Sequence, residues 1–485
     1  MNDFATVGPM RRRTAVLGCA ALVLAACSST PPLTLPDSGL PEHYQTAPDT
    51  PGIAWQPAQP AEAQPRGQWW RIFNDPDLNR LVEQAGTDSL GLEAAKARLR
   101  QVRAQAQIAD ARRSPELAVD GGVQRSRASP LPLGLPADTA IHPSTYWQAA
   151  LSASYEVDLF GAVSANADAA HADLGAGEAR YRSVLLSLQA DVAQTYFRLR
   201  ASKAAQRSLD EAQRLRERNV AINQRRFDLG DLGELDLARA KAELALTQAD
   251  NAAARRNTSQ LEHALALLLG KPQDDLSGIA PLGRDENVPA VPAGVPSTLL
   301  ERRPDIAAAQ MALIGANARL GVARSAIFPS LTLTANGGQL TNSFPRLFSA
   351  ISENWAATAL LSLPLIDGGK RNAAIAAGEA DVDALKADYR QKVLAAFEEV
   401  QDNLSAIDTL AGQGEAVDRA LAAAHQSAAL AEKLYRQGES GYLDLIEAQR
   451  NVTVFELESF RLRAERELAT VALIRAIGGQ WEATL

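Results

Sequence analysis

The sequence predicts an α+β membrane protein made mostly of long α-helices, with four transmembrane β-strands and a two-fold internal repeat. Three observations support this fold class. The segment that begins at Gly230 recurs 208 residues later, at Gly438. Long stretches without proline carry apolar residues at steps of three and four, the period of an amphipathic helix. Two shorter segments alternate apolar and polar residues, the period of a strand.

The repeat covers most of two halves of the 485-residue chain. The same shift aligns further pairs: Trp147 with Trp355, Gly161 with Gly369, Tyr181 with Tyr389, and Gly270 with Gly478. A long repeat indicates two structurally equivalent units in one chain. We therefore expect a first repeat at 69–270, a connector at 271–298, a second repeat at 299–480 and a tail at 481–485. Each repeat should contain a helix, two strands and a pair of long helices.

The composition excludes several classes of function. The chain has 49 basic and 57 acidic residues, and no basic face is evident, which argues against a nucleic-acid partner. Its five histidines are scattered without metal-ligand spacing. It also lacks the HExxH, GxSxG and Walker A motifs. The sequence therefore predicts no metal, no cofactor and no catalytic residue, so the protein is not expected to be an enzyme.

The N-terminus predicts export and a lipid anchor. Residues 1–26 contain three arginines followed by an apolar run too short to span a bilayer, as in a signal peptide. The run ends in Leu24-Ala-Ala-Cys27, which resembles a bacterial lipobox, so Cys27 is predicted to become the lipidated first residue. The alternative is an ordinary leader with a chance cysteine. Ser28, in place of Asp, favours the outer membrane. Residues 27–68, rich in Pro and Ala, predict an extended tether.

Two pairs of strands are predicted. Residues 77–113 should form one helix, which stops at Ser114-Pro115. The alternating segment that begins at Trp147 predicts a strand with one apolar face, and the segment that begins at Trp355 has a similar apolar row. Leu117–Arg127 and Leu331–Leu340 are predicted as their hairpin partners. About ten residues is the length that a tilted membrane-spanning strand needs.

The ends of these strands favour a membrane setting. Trp147 and Trp355 stand at the start of the apolar rows, where the aromatic belt of a membrane interface would lie. The export leader points to the same compartment. Two soluble hairpins with half-buried faces are the alternative.

Long helices follow the strands. One helix should run from Gly161 to about Leu229 and another from the break at 230–233 to about Leu269. In the second half the helices should run from about Gly369 to Arg436 and from the break at 438–441 to about Ile477. Helices of this length need partners along their length. A coiled-coil stalk would explain the helices, but neither the strands nor the repeat.

Four strands cannot close a barrel. Lipid offers no hydrogen bonds, so an open sheet would leave two edges of unpaired peptide groups. Small barrels need about eight strands. The sequence therefore predicts that several copies join their strands and helices into a ring, which gives an oligomeric conduit.

Short motifs occur in a fixed order from Trp69 almost to the C-terminus. They include Phe73-Asn-Asp-Pro-Asp-Leu78, Arg226-Phe-Asp-Leu-Gly230, Glu301-Arg-Arg-Pro-Asp-Ile306, Pro364-Leu-Ile-Asp-Gly-Gly-Lys-Arg371 and Leu443-Asp-Leu-Ile-Glu-Ala-Gln-Arg450. Together they resemble the TolC-type outer-membrane efflux channels, in the lipoprotein branch that serves resistance–nodulation–division (RND) pumps. This resemblance implies a homotrimer with a twelve-stranded β-barrel in the outer membrane and a periplasmic α-barrel below it.

The resemblance also implies partners and a function. The partners are a periplasmic adaptor (membrane fusion protein), an inner-membrane RND transporter and outer-membrane lipid. The function is passive conduction of substrates from the pump and adaptor across the periplasm and the outer membrane. Two alternatives stay open: a type I protein-secretion conduit of the same architecture, and a structural envelope lipoprotein without a pore.

Two sets of site residues follow from the resemblance. In relatives the helix-to-helix turns touch the adaptor, so the candidate docking positions are Gly230, Asp231, Gly233, Gly438 and Gly441. Turn geometry alone is the alternative explanation for the glycines. The second set consists of Leu443, Glu447 and Arg450, which fall at steps of four and three on one helix face.

The second set resembles the family's motif for its periplasmic constriction. Leu443 would be an apolar plug, and Glu447 and Arg450 a charged lining; Asp444 and Arg436 are further candidates. Relatives carry Asp where this chain has Glu447. A ring of carboxylates favours cations, and pairs between Arg450 and a neighbouring chain's carboxylate would hold the aperture shut. An ordinary surface pair on one helix is the alternative.

Overall fold

A computed structural model describes residues 30–36, 39, 41, 67–134, 136, 138–272, 276, 278–283, 288–289, 291 and 302–479. The predicted signal peptide, Cys27, most of the tether, much of the connector and the tail lie outside these residues. Residues 30–36 of the tether form neither helix nor strand.

The described chain is mostly helical and contains four strands, as predicted. In chain order the elements are α1 (Pro76–Asp88), α2 (Leu90–Ala111), β1 (Glu116–Ser126), β2 (Ser144–Val157), α3 (Ala162–Asp228), α4 (Glu234–Leu268), α5 (Pro304–Ser325), β3 (Ser330–Thr341), β4 (Glu353–Ser362), α6 (Lys370–Gln437) and α7 (Tyr442–Ala476). The four long helices begin and end within a few residues of the predicted positions.

The prediction of one helix at 77–113 is wrong, because the chain breaks between α1 and α2. Ser89 has an extended backbone (φ −66°, ψ 121°). Its N–H donates to the Ala85 carbonyl at 3.2 Å and its carbonyl accepts from the Glu93 N–H at 3.0 Å, so it ends one helix and starts the next. Gly270 approaches this break: a Cβ there would lie 2.3 Å from the Asp88 carbonyl oxygen. The break thus packs against residues distant in the sequence.

The chain forms two compact units, which we call the sheet unit and the helix unit. The sheet unit comprises the described residues of Met1–Pro36, Leu99–Gly177 and Ala309–Tyr389. The helix unit comprises those of Asp37–Arg98, Glu178–Ala308 and Arg390–Leu485.

The sheet unit contains one antiparallel sheet of order β1-β2-β3-β4. Both predicted hairpins are present, and β2 also pairs with β3, which joins the two repeats in one sheet. Trp147 lies opposite Val123 and Thr341, and Trp355 lies opposite Gly337. Within the chain, β1 and β4 are the two edge strands.

The register places the apolar rows of all four strands on one face. Directly opposed residues share a face, and the faces alternate along each strand. The apolar face carries Leu117, Val119, Val123, Trp147, Leu151, Tyr155, Val157, Leu331, Leu333, Trp355 and Leu361. The other face carries Glu116, Asp120, Gln124, Gln148, Ser152, Glu156, Thr332, Thr334, Asn336 and Thr358.

The repeat follows two offsets. α6 and α7 begin 208 residues after α3 and α4, as predicted. α5, however, begins and ends 214 residues after α2. The connection between β1 and β2 covers 127–143, whereas that between β3 and β4 covers 342–352. This second connection is six residues shorter, which accounts for the change of offset.

The main core lies in the helix unit, where α1, α3, α4 and α7 meet. Its largest fully buried side chains include Leu78, Leu81, Tyr196, Phe197, Leu199, Leu265, Leu269 and Ile474. Burial stabilises each such side chain by about 1.5–3 kcal/mol. α5 is long and apolar enough to cross a membrane, but more than half of its most apolar stretch is buried in the fold, as in a core helix.

Candidate functional site

The two helix-to-helix turns of the helix unit have matching geometry. Gly230 and Gly438 have φ of +79° and +78°. At the first turn the N–H of Gly230 donates to the Phe227 carbonyl at 2.9 Å, and that of Asp231 donates to the Arg226 carbonyl at 2.8 Å. At the second turn Gly438 and Glu439 donate in the same way, at 3.1 and 2.9 Å. Both are Schellman turns, which require a left-handed residue.

The other two glycines of these turns have a different environment. Gly233 and Gly441 are N-caps in extended conformation, with φ of −75° and −76°, which any residue can adopt. A Cβ at Gly233 would meet no atom within 4 Å, and one at Gly441 would meet only the Asp444 carboxylate, at 3.9 Å. Neither backbone strain nor crowding within the chain explains these glycines. They leave bare backbone on the surface beside the exposed Asp231.

The predicted constriction residues share one exposed face at the start of α7. Leu443 (46% exposed), Glu447 and Arg450 face outward. The opposite face is buried and carries Tyr442, Leu445, Ile446, Ala448 and Gln449. The predicted helical spacing is therefore present in the structure.

The charged members of this set differ in their partners. Arg450 forms an ion pair with Glu243 of α4, in the same chain. Asp444 accepts a hydrogen bond from the Gly441 N–H at 3.3 Å, and so caps α7. Arg436 pairs with Glu432 of its own helix at 2.5 Å. Among the residues that the structure describes, the Glu447 carboxylate forms no hydrogen bond or ion pair.

The ion pair of Arg450 in the structure lies within one chain, which differs from the expectation from the sequence. The sequence suggested a carboxylate of a neighbouring chain as its partner. Glu243 is largely buried, with 14% of its side chain exposed, whereas half of the Arg450 side chain is exposed. This pair therefore joins α4 to α7 just behind the exposed face.

A buried polar cluster lies beneath the same face. Arg216 of α3 is 3% exposed and donates from Nη1 to Oε1 of Gln449 on α7. Asn219 donates to the same oxygen at 3.1 Å. Burial lowers the pKa of Arg216, and the charge of Glu243 opposes this effect. The hydrogen bonds of this cluster replace bonds that its polar groups would form with water, and they fix α3 against α7.

A second contact joins the ends of α3 and α6. Arg226 donates from Nη1 to the Tyr435 hydroxyl at 2.9 Å, and that hydroxyl donates to Asn223 at 3.0 Å. The guanidinium carbon of Arg226 lies 5.3 Å from the centroid of the Tyr435 ring, which is a cation–π distance. The centroids of the Tyr435 and Tyr442 rings lie 5.6 Å apart. Burial raises the pKa of Tyr442 to about 12, so it is neutral at physiological pH.

Sequence reasoning missed this set of buried and partly buried residues, which consists of Arg216, Asn219, Glu243, Tyr435, Tyr442 and Gln449. One signal was visible: Gln449 is a polar residue in an otherwise apolar stripe that contains Tyr442 and Ile446. A polar residue in such a stripe requires a buried partner. The identity of that partner depends on which helix packs there.

A groove runs along α6 to the start of α7. Its volume is about 420 Å³, and it is lined by Ala423, Gln426, Ser427, Leu430, Ala431, Leu434, Ser440 and Asp444. The lining is mainly small or apolar, and the groove ends beside the second turn.

The two tryptophans lie on the same sheet face, near the strand ends that the hairpin loops join. Trp147 packs its ring against Phe344, with centroids 4.8 Å apart. Trp355 is 78% exposed. Both positions agree with an interfacial role, which stays a prediction.

Known proteins share this architecture. Residues 81–271 and 295–479 match the family model described as outer membrane efflux protein. The chain is 33% identical over 471 residues to the pyoverdine export outer membrane protein OpmQ of Pseudomonas putida, covering 96% of each. It is 31% identical to the probable efflux pump outer membrane protein TtgC of the same species, covering 96% of the chain and 95% of TtgC.

A solved structure has the same fold. The Campylobacter jejuni CmeC outer membrane channel superposes with a TM-score of 0.85 at 24% identity. The match covers 95% of this chain and 96% of that one.

Proposed function

The chain belongs to the outer membrane efflux protein family, and we propose that three copies of it form the lipid-anchored channel of a tripartite efflux system. It is an outer-membrane efflux channel with a large helical extension into the periplasm. In this role it passively conducts substrates received from an inner-membrane RND transporter and a periplasmic adaptor.

One observation carries the proposal that several copies join in a ring. The apolar rows of all four strands lie on one face of a single sheet, and that sheet has two open edges, β1 and β4. An apolar face of this kind suits contact with lipid, but lipid cannot pair the peptide groups of the edges. Joining β1 of one copy to β4 of the next removes every edge. Three copies, the number that the resemblance to TolC-type channels implies, give a barrel of twelve strands.

Reconstitution tests this assembly. We expect the purified chain to show the mass of three copies in native mass spectrometry and to produce single-channel currents in planar bilayers. A structural lipoprotein without a pore predicts bilayers without current. A chain that stays monomeric in lipid would overturn the proposal.

Cys27 carries the lipid in this proposal, since it ends the lipobox-like segment Leu24-Ala-Ala-Cys27. Radioactive palmitate should label the wild type, and Cys27→Ser should abolish the label. Label that persists in Cys27→Ser would exclude this residue as the lipid attachment site.

The adaptor docks at the two helix-to-helix turns. The bare backbone at Gly233 and Gly441 and the groove beside the second turn support this assignment. Extended grooves with small and apolar linings suit helical partners.

The gate lies on the exposed face of α7, with Leu443 as an apolar plug and Glu447 and Arg450 as its charged lining. The Arg450–Glu243 pair and the buried Arg216–Gln449 cluster support this assignment, because they fix the first turns of α7 against α3 and α4.

Deletion of the gene should raise sensitivity to exported toxic compounds. Loss of protein secretion with unchanged sensitivity would favour a type I conduit instead.

A further inference from the structure

The described residues near the N-terminus contact one helix of the sheet unit. We propose that α5 carries a seat for residues 30–33, which we call the strap, and that this seat holds the lipidated N-terminus at the level where the sheet begins. The role of the lipid rests on the proposed function, whereas the seat rests on contacts of the described residues.

The strap contacts α5 at successive turns of the helix. Asn317, which is 7% exposed, donates from Nδ2 to the Pro31 carbonyl at 2.8 Å. Leu33 packs against the buried cluster of Leu313, Ala316, Leu320 and Val382. The strap therefore supplies both a hydrogen-bond partner for a buried amide and an apolar side chain for the core between α5 and α6.

Gly321 provides the space for the strap. A Cβ at this position would lie 2.3 Å from Thr30 Oγ1 and 3.0 Å from Thr30 Cα. Backbone atoms cannot yield in the way that the end of a flexible side chain can, so a methyl group here would displace the strap. Gly321 is in the interior of a helix, where glycine is unfavourable by itself. The contact with Thr30 gives a physical reason for this glycine.

The direction of the strap places its N-terminal end towards the sheet. Thr30 lies at Gly321, Pro31 at Asn317 and Leu33 at a cluster that includes Leu313, so the strap runs antiparallel to α5. Going back along the strap therefore leads towards the end of α5 at Ser325, which precedes β3 at Ser330.

The length of chain before the strap makes this direction significant. Cys27 precedes Thr30 by three residues, which span at most about 10 Å. Gly321 is four residues from the end of α5, or about 6 Å along the helix axis. The seat thus keeps the lipid attachment point close to the start of β3, where the apolar face of the sheet begins.

Disulfide trapping tests the contact. Cys19 lies in the predicted leader and Cys27 is the proposed lipid site, so no other cysteine of the chain interferes. A Cβ at Gly321 would lie 3.0 Å from Thr30 Cβ, which is shorter than the span of about 3.5–4.5 Å in a disulfide. The outward displacement of the strap that this Cβ causes brings the distance into that span, and the covalent bond then holds the strap on α5, which the methyl group of alanine cannot do. We expect Thr30→Cys with Gly321→Cys to be oxidised in most molecules in outer membranes, as measured by loss of maleimide labelling.

The matched control uses another glycine of α5. A Cβ at Gly315 would meet Asp173, Arg319 and Ala172 rather than the strap. The pair Thr30→Cys and Gly315→Cys should therefore stay reduced. Equal oxidation of the two pairs, or oxidation of neither, would overturn the seat.

Single substitutions test the requirement for space. Gly321→Ala and Gly315→Ala gain the same helix propensity, but only the first places a methyl group against the strap backbone. In lipid-reconstituted protein we expect protease to cut within residues 30–36 of Gly321→Ala, and to leave them intact in Gly315→Ala and the wild type. The same cleavage pattern in both variants would contradict the proposal.

Palmitate labelling of the same samples separates the proposed seat from the proposed lipid-anchored channel. Labelled protein that forms the 30–321 disulfide supports both of them. Labelled protein without the disulfide overturns the seat and leaves the channel proposal intact. A disulfide in unlabelled protein overturns the lipid anchor and, with it, the anchoring role of the seat.

Discussion

At the scale of single residues, the four turn glycines fall into two classes. Gly230 and Gly438 have positive φ and are required by their Schellman turns. Gly233 and Gly441 have ordinary dihedral angles and open space around them. The sequence pattern shows all four as equivalent breaks between helices. Their environments assign the first pair to folding, whereas the docking role of the second pair stays a prediction.

Substitutions should separate these classes. Gly230→Ala places a side chain in the left-handed region, so we expect a loss of about 1–2 kcal/mol of unfolding free energy. Gly233→Ser supplies a better N-cap and should change stability by only a few tenths of a kcal/mol, yet it should weaken adaptor binding. Denaturant unfolding and binding of a purified adaptor measure the two effects. Normal adaptor binding by Gly233→Ser would remove this position from the docking surface.

The exposed face of α7 gives a second prediction at this scale. Leu443→Ala with Glu447→Ala should open the gate, because it removes both the apolar plug and the carboxylate ring. Larger single-channel conductance and faster uptake of a large antibiotic are the expected results.

A control comes from the first repeat. There Leu235 and Arg239 precede Leu443 and Glu447 by the repeat offset of 208, and Leu235 is also exposed. Leu235→Ala with Arg239→Ala should leave conductance near the wild-type value. If the second-repeat variant also conducts like the wild type, Leu443 and Glu447 do not form the constriction.

At the scale of elements, the contact between β2 and β3 unites the two repeats. Gly338 lies opposite Ala150 in this pair. A Cβ on Gly338 would lie 2.3 Å from the Ala149 carbonyl oxygen and 2.5 Å from Ala150 Cα. The neighbouring Gly337 points to the other face, where the nearest atom would be Trp355 Cβ at 4.0 Å. Close approach of two backbones therefore requires glycine at one position only.

These adjacent glycines form a matched pair for an experiment. Gly338→Ala should separate β2 from β3 and reduce the yield of oligomer that resists heating in detergent. Gly337→Ala adds the same methyl group on the open face and should assemble normally. Gel electrophoresis of outer-membrane fractions measures both yields. Equal yields from the two variants would show that the backbone spacing at Gly338 is not limiting for assembly.

At the scale of the whole molecule, the open edges β1 and β4 raise the question of how many copies close the barrel. Each copy supplies four strands, so a barrel of twelve strands needs three copies, whereas a barrel of eight strands would need two. The gate variant provides a way to count them. In the proposed ring each copy would contribute one Leu443 and one Glu447 to the aperture, so mixed assemblies should differ in conductance.

Coexpression of the wild type with Leu443→Ala and Glu447→Ala should therefore give discrete channel populations. The number of conductance levels is one more than the number of copies, so a trimer should show four. Single-channel recording of the purified mixture measures the levels. Three levels would indicate a dimer and contradict the proposed barrel of twelve strands.

Local rules in the sequence determined the type and extent of the long elements. Apolar residues at alternate positions predicted β2 and β4, because side chains of a strand alternate between its faces. Steps of three and four with glycine at the ends predicted α3, α4, α6 and α7, because a helix ends where a residue takes positive φ. The repeat then indicated that both halves share one plan.

Only the tertiary structure decided which distant residues meet. It separated α1 from α2 at Ser89 beside Gly270, paired Arg450 with Glu243, and seated Thr30 on Gly321. None of these contacts leaves a period in the sequence, because each joins segments whose separation is set by the packing of whole helices. Helix and strand patterns are local properties of the chain, whereas the space at Gly321 and the partner of a buried charge depend on what the fold brings there.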